Sequence, residues 1–223
     1  MSAVIRPINI MHELGVLPSH MRAVMEGLRT VLGFAGVEDR IAVYNYDVWR
    51  NNPWKVGERL LPWQSVDWYI EQTRKGSRFG QLHVARLLEL LYNEPWQKAE
   101  AHYDIVVTCS DLYDDGCNFV IGAAVEGLGT VISVKRFLEL DPAAQRECIV
   151  TETMHEVGHV FGLVPKTRTE NVSHSLGLHC DNMCTMRQGL NVPRDWINIT
   201  NDRLAGHVFC KTCESDLRRY FSR

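Results

Sequence analysis

Hydrophobic residues along the first two thirds of the chain alternate between the spacing of strands and the spacing of helices. Apolar and β-branched clusters, or strict alternation, predict strands, and apolar positions three and four residues apart after Pro18 predict an amphipathic helix. The predicted elements are, in order, strand 3–10, a helix from 19, strand 40–48, helix 81–92, strand 104–108 and the hairpin-like pair 119–125 and 130–134. This order predicts a mixed α/β protein.

The clearest helix is predicted over 141–162. Asp141 suits the N-cap, and Pro142 suits the first helical position, where its missing N–H has no intrahelical partner. Gly162 suits the left-handed residue that ends a helix, and Pro165 forbids continuation. Between 49 and 76 periodicity is lost, and Trp49, Trp54, Trp63 and Trp68 predict a long loop whose aromatic residues pack on the core.

Composition limits the partners. The 223 residues are 45% hydrophobic and 23% charged, as in folded globular proteins, and the net charge of −3 provides no basic excess for nucleic acid. No run of roughly 20 apolar residues suggests a membrane span, and the N-terminus lacks the pattern of a signal peptide. We therefore expect a cytoplasmic protein with no nucleic-acid or membrane partner.

Residues 155–159 read His-Glu-Val-Gly-His. On a helix, His155 and His159 lie on one face one turn apart, where both can bind a single zinc ion, and Glu156 can act as general base on its water. Because the helix ends before Pro165, a third ligand must come from the chain after the turn. His179 is the preferred candidate, with His174 and then Glu170 as alternatives.

Seven cysteines in a reducing compartment favour metal binding over disulfides. Cys180, Cys184, Cys210 and Cys213 form two close pairs with the spacing of a tetrahedral thiolate zinc site, whereas the isolated Cys109, Cys117 and Cys148 are typical of small buried hydrophobic residues. Adjacent side chains of an extended segment point to opposite sides, so His179 and Cys180 can serve two different centres.

The motifs HEVGHVFGL, GLHC, C-T-M and C-x-x-C together resemble those of the archaemetzincins, zinc peptidase-like proteins of the metzincin clan. The segment DLYDDGCNFVIGAA and the following TVISVKRF are also similar, so the resemblance covers roughly residues 104–221. It implies a metzincin-like fold with a twisted mixed sheet, an active-site helix and a small zinc-stabilised C-terminal subdomain. The implied division is 1–162 and 163–223.

Carried over to this sequence, the resemblance implies two zinc ions per chain. A catalytic zinc would be held by three histidines, with Glu156 as general base and acid, and Met186 would form the turn beneath it. A structural zinc would be held by four cysteines. These implied ligands are His155, His159 and His179 for the first ion, and Cys180, Cys184, Cys210 and Cys213 for the second.

The sequence departs from the family pattern near the third ligand. Pro165 stands where the family has its third histidine, and 164–177 reads as an inserted polar loop. The first cysteine pair has three intervening residues where the family usually has four, and the gap from Met186 to Cys210 is longer than usual.

We expect a zinc-dependent peptidase in which Glu156 activates a zinc-bound water to attack a peptide or protein substrate. The substrate would lie extended along an edge strand at 121–125. The alternatives are a non-catalytic or weakly active zinc-binding protein with a closed metal site, and a zinc hydrolase acting on a non-peptide amide.

Overall fold

The structure, a computed structural model, describes residues 5–47, 55–56, 59–60 and 66–222. The helices are α1 (Pro18–Ala35), α2 (Val66–Arg74), α3 (Val84–Tyr92), α4 (Pro95–Ala99), α5 (Pro142–Val160), α6 (Arg194–Leu204) and α7 (Lys211–Phe221). The strands are β1 (Ile8–His12), β2 (Val43–Asn45), β3 (Lys55–Val56), β4 (Arg59–Leu60), β5 (Gln81–His83), β6 (Tyr103–Thr108), β7 (Asp111–Asp114), β8 (Cys117–Val120), β9 (Gly122–Val125), β10 (Gly129–Ser133), β11 (Val172–Ser173) and β12 (His179–Cys180). The predicted mixed α/β class is confirmed.

The described residues form two compact units. One comprises residues 18–40 and 136–222, and we call it the helical unit; the other comprises 6–17 and 41–135, and we call it the sheet unit. The predicted division cuts the chain once, after residue 162, whereas each compact unit combines separate stretches of the chain. The predicted division stays a prediction. No helix among the described residues has the length and hydropathy that crossing a membrane requires.

The sheet unit contains a five-stranded mixed sheet with the order β2-β1-β6-β10-β9. The first four strands are parallel and β9 pairs antiparallel with β10 at the edge, so the predicted hairpin is present. All six positions of β6 are buried, as expected of a central parallel strand. Met11, Val106 and Val131 stand side by side on three strands in one hydrophobic cluster with α2 and α3.

Several predicted boundaries are wrong. The predicted helix 81–92 begins as strand β5, because Gln81–His83 pair with β7 and only then does the chain turn into α3. The predicted strand 119–125 is two strands, since β8 pairs with β7 whereas β9 pairs with β10. The predicted strand 40–48 is confined to β2. Of the tryptophan-rich segment 49–76, residues 49–54, 57–58 and 61–65 lie outside the described residues, and 66–74 form α2.

The helical unit is built on the crossing of α1 and α5. At the crossing, a Cβ atom on Gly27 would lie 2.7 Å from the Val150 carbonyl oxygen and 2.8 Å from the Thr153 Cβ, so only glycine allows this approach. Polar contacts support the pair, since His20 Nε2 lies 3.1 Å from Gln145 Oε1 and Arg146 bonds Glu26. Helix α5 is therefore held at a fixed position against α1.

The ends of α5 are those that the sequence predicts. The Asp141 carboxylate accepts hydrogen bonds from the backbone N–H groups of residues 143 and 144, each 3.1 Å long. At the other end, Gly162 has a φ of 69°, and the N–H groups of Gly162 and Leu163 donate to the carbonyls of His159 and Gly158. These two bonds are those of a glycine-terminated helix, and they turn the chain away just after His159.

Candidate metal centres

Helix α5 brings two histidines of the HEVGH motif together. His155 and His159 are one turn apart, and their Nε2 atoms lie 3.3 Å from each other. The ring centroids are 4.8 Å apart with an interplanar angle of 75°, so the two nitrogens converge rather than stack. The helix therefore presents two ligand atoms to one point, as the spacing predicts.

His179, on β12, completes this cluster. Its ring centroid lies 5.2 Å from that of His155 and 5.1 Å from that of His159. One ring nitrogen from each of the three residues falls within 4.8 Å of the other two. The alternative ligands His174 and Glu170 are exposed, and within the described part of the chain neither belongs to a group of converging ligands.

The ring orientation of His155 is set by a residue that the sequence analysis did not identify. His155 Nδ1 donates to the Thr185 carbonyl oxygen at 2.9 Å, which leaves the lone pair of Nε2 directed at the cluster. A tetrahedral zinc ion with Zn–N bonds of about 2.05 Å requires nitrogen atoms about 3.3 Å apart. The 3.3 Å separation of the two Nε2 atoms fits zinc.

The electrostatics of the cluster favour neutral imidazoles. Burial, followed by the charges of His159 and His179, holds the pKa of His155 well below its ordinary value. Burial and the charge of His179 lower the pKa of His159 to about 3, and burial also lowers the pKa of His179. All three rings are therefore unprotonated at neutral pH, which is the state that binds a metal.

Two glutamates lie on α5 beside the histidines. Glu156 directly follows His155 and is 6% exposed. Glu152, one turn earlier, is fully buried, and neither of its carboxyl oxygens has a hydrogen-bond partner among the described residues. Burial, reinforced by the charge of Glu156, raises the pKa of Glu152 well above its ordinary value. The raised pKa favours the protonated form of Glu152, which avoids a second carboxylate charge beside Glu156 in the interior.

The four predicted cysteine ligands also converge. Their sulfur atoms lie within 4.8 Å of one another, and Sγ of Cys180 is 3.7 Å from Sγ of Cys210. Zn–S bonds of about 2.3 Å in a tetrahedron place the sulfurs about 3.8 Å apart, so the cluster fits zinc. Hydrogen bonds from Cys184 and Cys213 lower the pKa of Cys180 and raise the pKa values of the two donors, so one thiolate, that of Cys180, is favoured.

A short turn joins the two clusters. Cys184 belongs to the cysteine cluster, the carbonyl of Thr185 orients His155, and Met186 is fully buried against α5. A Cβ atom on Gly158 would lie 2.5 Å from the sulfur of Met186, so the glycine allows Met186 to pack closely against the helix. The Cys180 N–H donates to the Met186 carbonyl at 2.8 Å, which closes the turn onto β12.

Two further residues contact the clusters, and the sequence analysis identified neither of them. The ring of Trp196, on α6, packs on His155 with centroids 5.3 Å apart. Arg168, in the inserted loop 164–177, donates to the sulfurs of Cys180 and Cys213. Neither contact follows from spacing along the chain, because each residue reaches its partner through tertiary packing.

Comparison with known proteins gives consistent matches. The model of peptidase family M54 matches residues 97–219. The archaemetzincin of Methanopyrus kandleri is 33% identical over 146 residues, which are 65% of this chain and 70% of that protein. The archaemetzincin of Archaeoglobus fulgidus is 34% identical over 113 residues, which are 50% of this chain and 58% of that protein.

Solved structures show the same fold. The crystal structure of the M. kandleri archaemetzincin superposes with a TM-score of 0.64 at 24% identity, over 98% of this chain and 97% of that one. The A. fulgidus archaemetzincin, crystallised with malonate, gives a TM-score of 0.56 at 24% identity, over 94% of this chain and 99% of that one. The expected twisted mixed sheet and cysteine-stabilised C-terminal region are thus confirmed at the level of the fold.

Proposed function

The chain belongs to peptidase family M54, the family of the archaemetzincins, and on this basis we propose that it is a zinc-dependent metallopeptidase whose general base is Glu156. The observation that carries the proposal is the convergence of three neutral imidazoles, the first of which directly precedes Glu156 in the sequence. The substrate class is a peptide or protein.

In this proposal His155, His159 and His179 hold the catalytic zinc ion. When bound, zinc supplies Lewis-acid polarisation of the scissile carbonyl and lowers the pKa of a coordinated water. Three protein ligands leave a fourth position open, which distinguishes a catalytic site from a closed structural one. Thr185 contributes by fixing the tautomer of His155 through its carbonyl.

Glu156 moves the proton in the proposed reaction. It follows a ligand directly in sequence and is not itself a member of the histidine cluster, which suits a group that acts on water rather than on the metal. Glu156 takes a proton from the attacking water and later delivers it to the leaving amine. Because burial raises the pKa of Glu152, this neighbour favours its protonated form and adds less negative charge near Glu156.

The cysteine cluster is assigned a structural role. Four thiolates fill the coordination shell of a zinc ion and leave no position for a substrate, so this ion would stabilise the fold. Its ligands come from β12, the turn at 184 and the start of α7, and the chain between the last two includes α6. Binding free energy at this centre would therefore contribute directly to folding of this region.

A peptide library digested by purified protein and resolved by mass spectrometry tests the proposal. The wild type should cleave, and Glu156→Gln should lose turnover while keeping its zinc content, because the amide cannot accept the proton. Glu139→Gln, an exposed position in the same unit, is the matched control and should cleave normally. Cleavage by both variants would assign the activity to another site or to a contaminant. No cleavage by a wild type that carries both zinc ions would favour the non-catalytic alternative.

A further inference from the structure

The inserted loop 164–177 contains a buried arginine that the proposed reaction does not use. The Arg168 side chain is 5% exposed. It donates from Nη2 to the Cys180 sulfur at 3.2 Å and from Nη1 to the Cys213 sulfur at 3.3 Å. Nη1 also lies 3.4 Å from a carboxylate oxygen of Asp216. One guanidinium thus bridges two members of the cysteine cluster that come from β12 and α7.

Metal in the cysteine centre increases the negative charge beside Arg168 beyond that of the Asp216 carboxylate. Four thiolates around a divalent ion carry a formal charge of −2, and a buried excess charge needs a partner of opposite sign. Arg168 is a cation that donates to two of the sulfurs, whereas Arg219 lies 3.6 Å from the other oxygen of Asp216 and is 59% exposed. The metal-loaded cluster therefore holds Arg168 more strongly than four neutral thiols do.

Arg168 also fixes the backbone of the loop. Its Nε donates to the Glu170 carbonyl at 3.0 Å, and Nη2 donates to the Asn171 carbonyl at 3.2 Å. The Asn171 carbonyl accepts a second bond, from the Asp181 N–H at 3.1 Å. The guanidinium therefore connects the loop to the residue that follows the last ligand of β12.

The loop leads directly to the third histidine. Strand β11, immediately after Asn171, pairs with β12, and Ser173 stands opposite His179. Asn171 and Leu176, on either side of β11, have φ values of 53° and 52°, in the left-handed region, which asparagine tolerates but which costs free energy for leucine. A loop of this kind keeps its shape only when contacts outside it hold it in place.

We propose that Arg168 is a positioning residue that ties the inserted loop to the cysteine centre and thereby holds His179 in the histidine centre. The inference rests on the proposed function, because it requires zinc at both centres. Its consequence is a coupling between the two centres: weakening the contact between Arg168 and the sulfurs lowers the zinc affinity of the histidine centre, although Arg168 is not a member of the histidine cluster.

The test compares Arg168→Met with Arg219→Met in the full chain. The second variant removes a cation from the same Asp216 without touching a sulfur, so it is the matched control. Zinc affinity of the histidine centre is measured by competition with a chromophoric chelator, and hydrogen exchange is followed over 166–180. Cobalt substitution gives a thiolate charge-transfer band that reports on the cysteine centre separately.

Arg168→Met should weaken zinc binding at the histidine centre by about 10- to 100-fold, the usual effect of removing a residue that orients ligands. It should speed exchange over 166–180 while the cobalt–thiolate band persists, and Arg219→Met should match the wild type. Unchanged affinity and exchange in Arg168→Met would overturn the inference. If that variant does not fold, Arg168→Lys, which keeps the charge but cannot bridge both sulfurs, should show the same changes, and wild-type behaviour would overturn it. Failure of the proposed function is distinct, because it appears as missing zinc or missing cleavage in the wild type.

Discussion

Replacing Gly27 by alanine should destabilise the protein, even though alanine is the better helix former. The added Cβ would lie 2.7 Å from the Val150 carbonyl oxygen and 2.8 Å from the Thr153 Cβ, whereas ordinary carbon contacts are about 3.5–4.0 Å. Helices α1 and α5 must then separate by roughly 1 Å. Overpacking of this kind costs about 1–3 kcal/mol.

Gly33, in the same helix, provides the control. A Cβ atom there would meet only a carboxylate oxygen of Glu38, at 3.8 Å, so nothing opposes the helix propensity of alanine. Gly33→Ala should therefore stabilise the protein by up to about 1 kcal/mol. Because the propensity gain is common to both substitutions, the difference between them, about 1–3 kcal/mol, reports on the helix crossing alone.

Urea unfolding at a fixed zinc concentration measures both variants by linear extrapolation. Since Val150 and Thr153 precede the ligand His155 on α5, Gly27→Ala should also weaken zinc binding, whereas Gly33→Ala should not. A Gly27→Ala protein as stable as Gly33→Ala would show that the two helices do not approach as closely as described.

Three further predictions concern buried charge and the two metal centres. Burial raises the pKa of Glu152 in the folded protein, so above pH 4.5 the unfolded chain ionises more readily and the stability of the folded protein falls. Glu152→Gln should therefore stabilise the protein near pH 8, with a gain that vanishes towards pH 4.5. A gain independent of pH in thermal unfolding would contradict this prediction. His179→Ala should weaken zinc binding at the histidine centre by on the order of 100-fold, whereas His174→Ala should leave it within about twofold, as measured by chelator competition. Cys210→Ser should lower the zinc content from two ions to one by metal analysis and reduce stability; a variant that keeps both ions would remove the cysteine centre from the proposal.

Local signals made α5 and its two histidines predictable. All three signals come from one short stretch of sequence, and the structure contains each of them: the N-cap at Asp141, the terminal Gly162, and the four-residue spacing of His155 and His159. The convergence of His179 followed from alternation in an extended segment, which is again a local property.

Long-range pairing accounts for what the sequence could not reveal. Residues 81–83 have the pattern of the following helix, but pairing with β7 makes them a strand, and a 3.0 Å bond from the Gln81 amide to Asp111 supports it. The Thr185 contribution to the histidine centre is a backbone carbonyl, which any residue would supply. Arg168 reaches its sulfurs across 12 and 45 residues of chain, a separation that carries no periodic signal.

The two-residue strand β12 constrains how the chain can change in length. His179 and Cys180 serve different centres from consecutive positions, so a residue inserted between them would turn one of the two side chains to the wrong face. The loop before β12 can change in length at little cost, because each doubling of loop length raises the free energy of loop closure by only about 0.6 kcal/mol. Length variation compatible with two working metal centres is therefore expected between Pro165 and Leu178, and His179 and Cys180 should stay adjacent wherever both centres are kept.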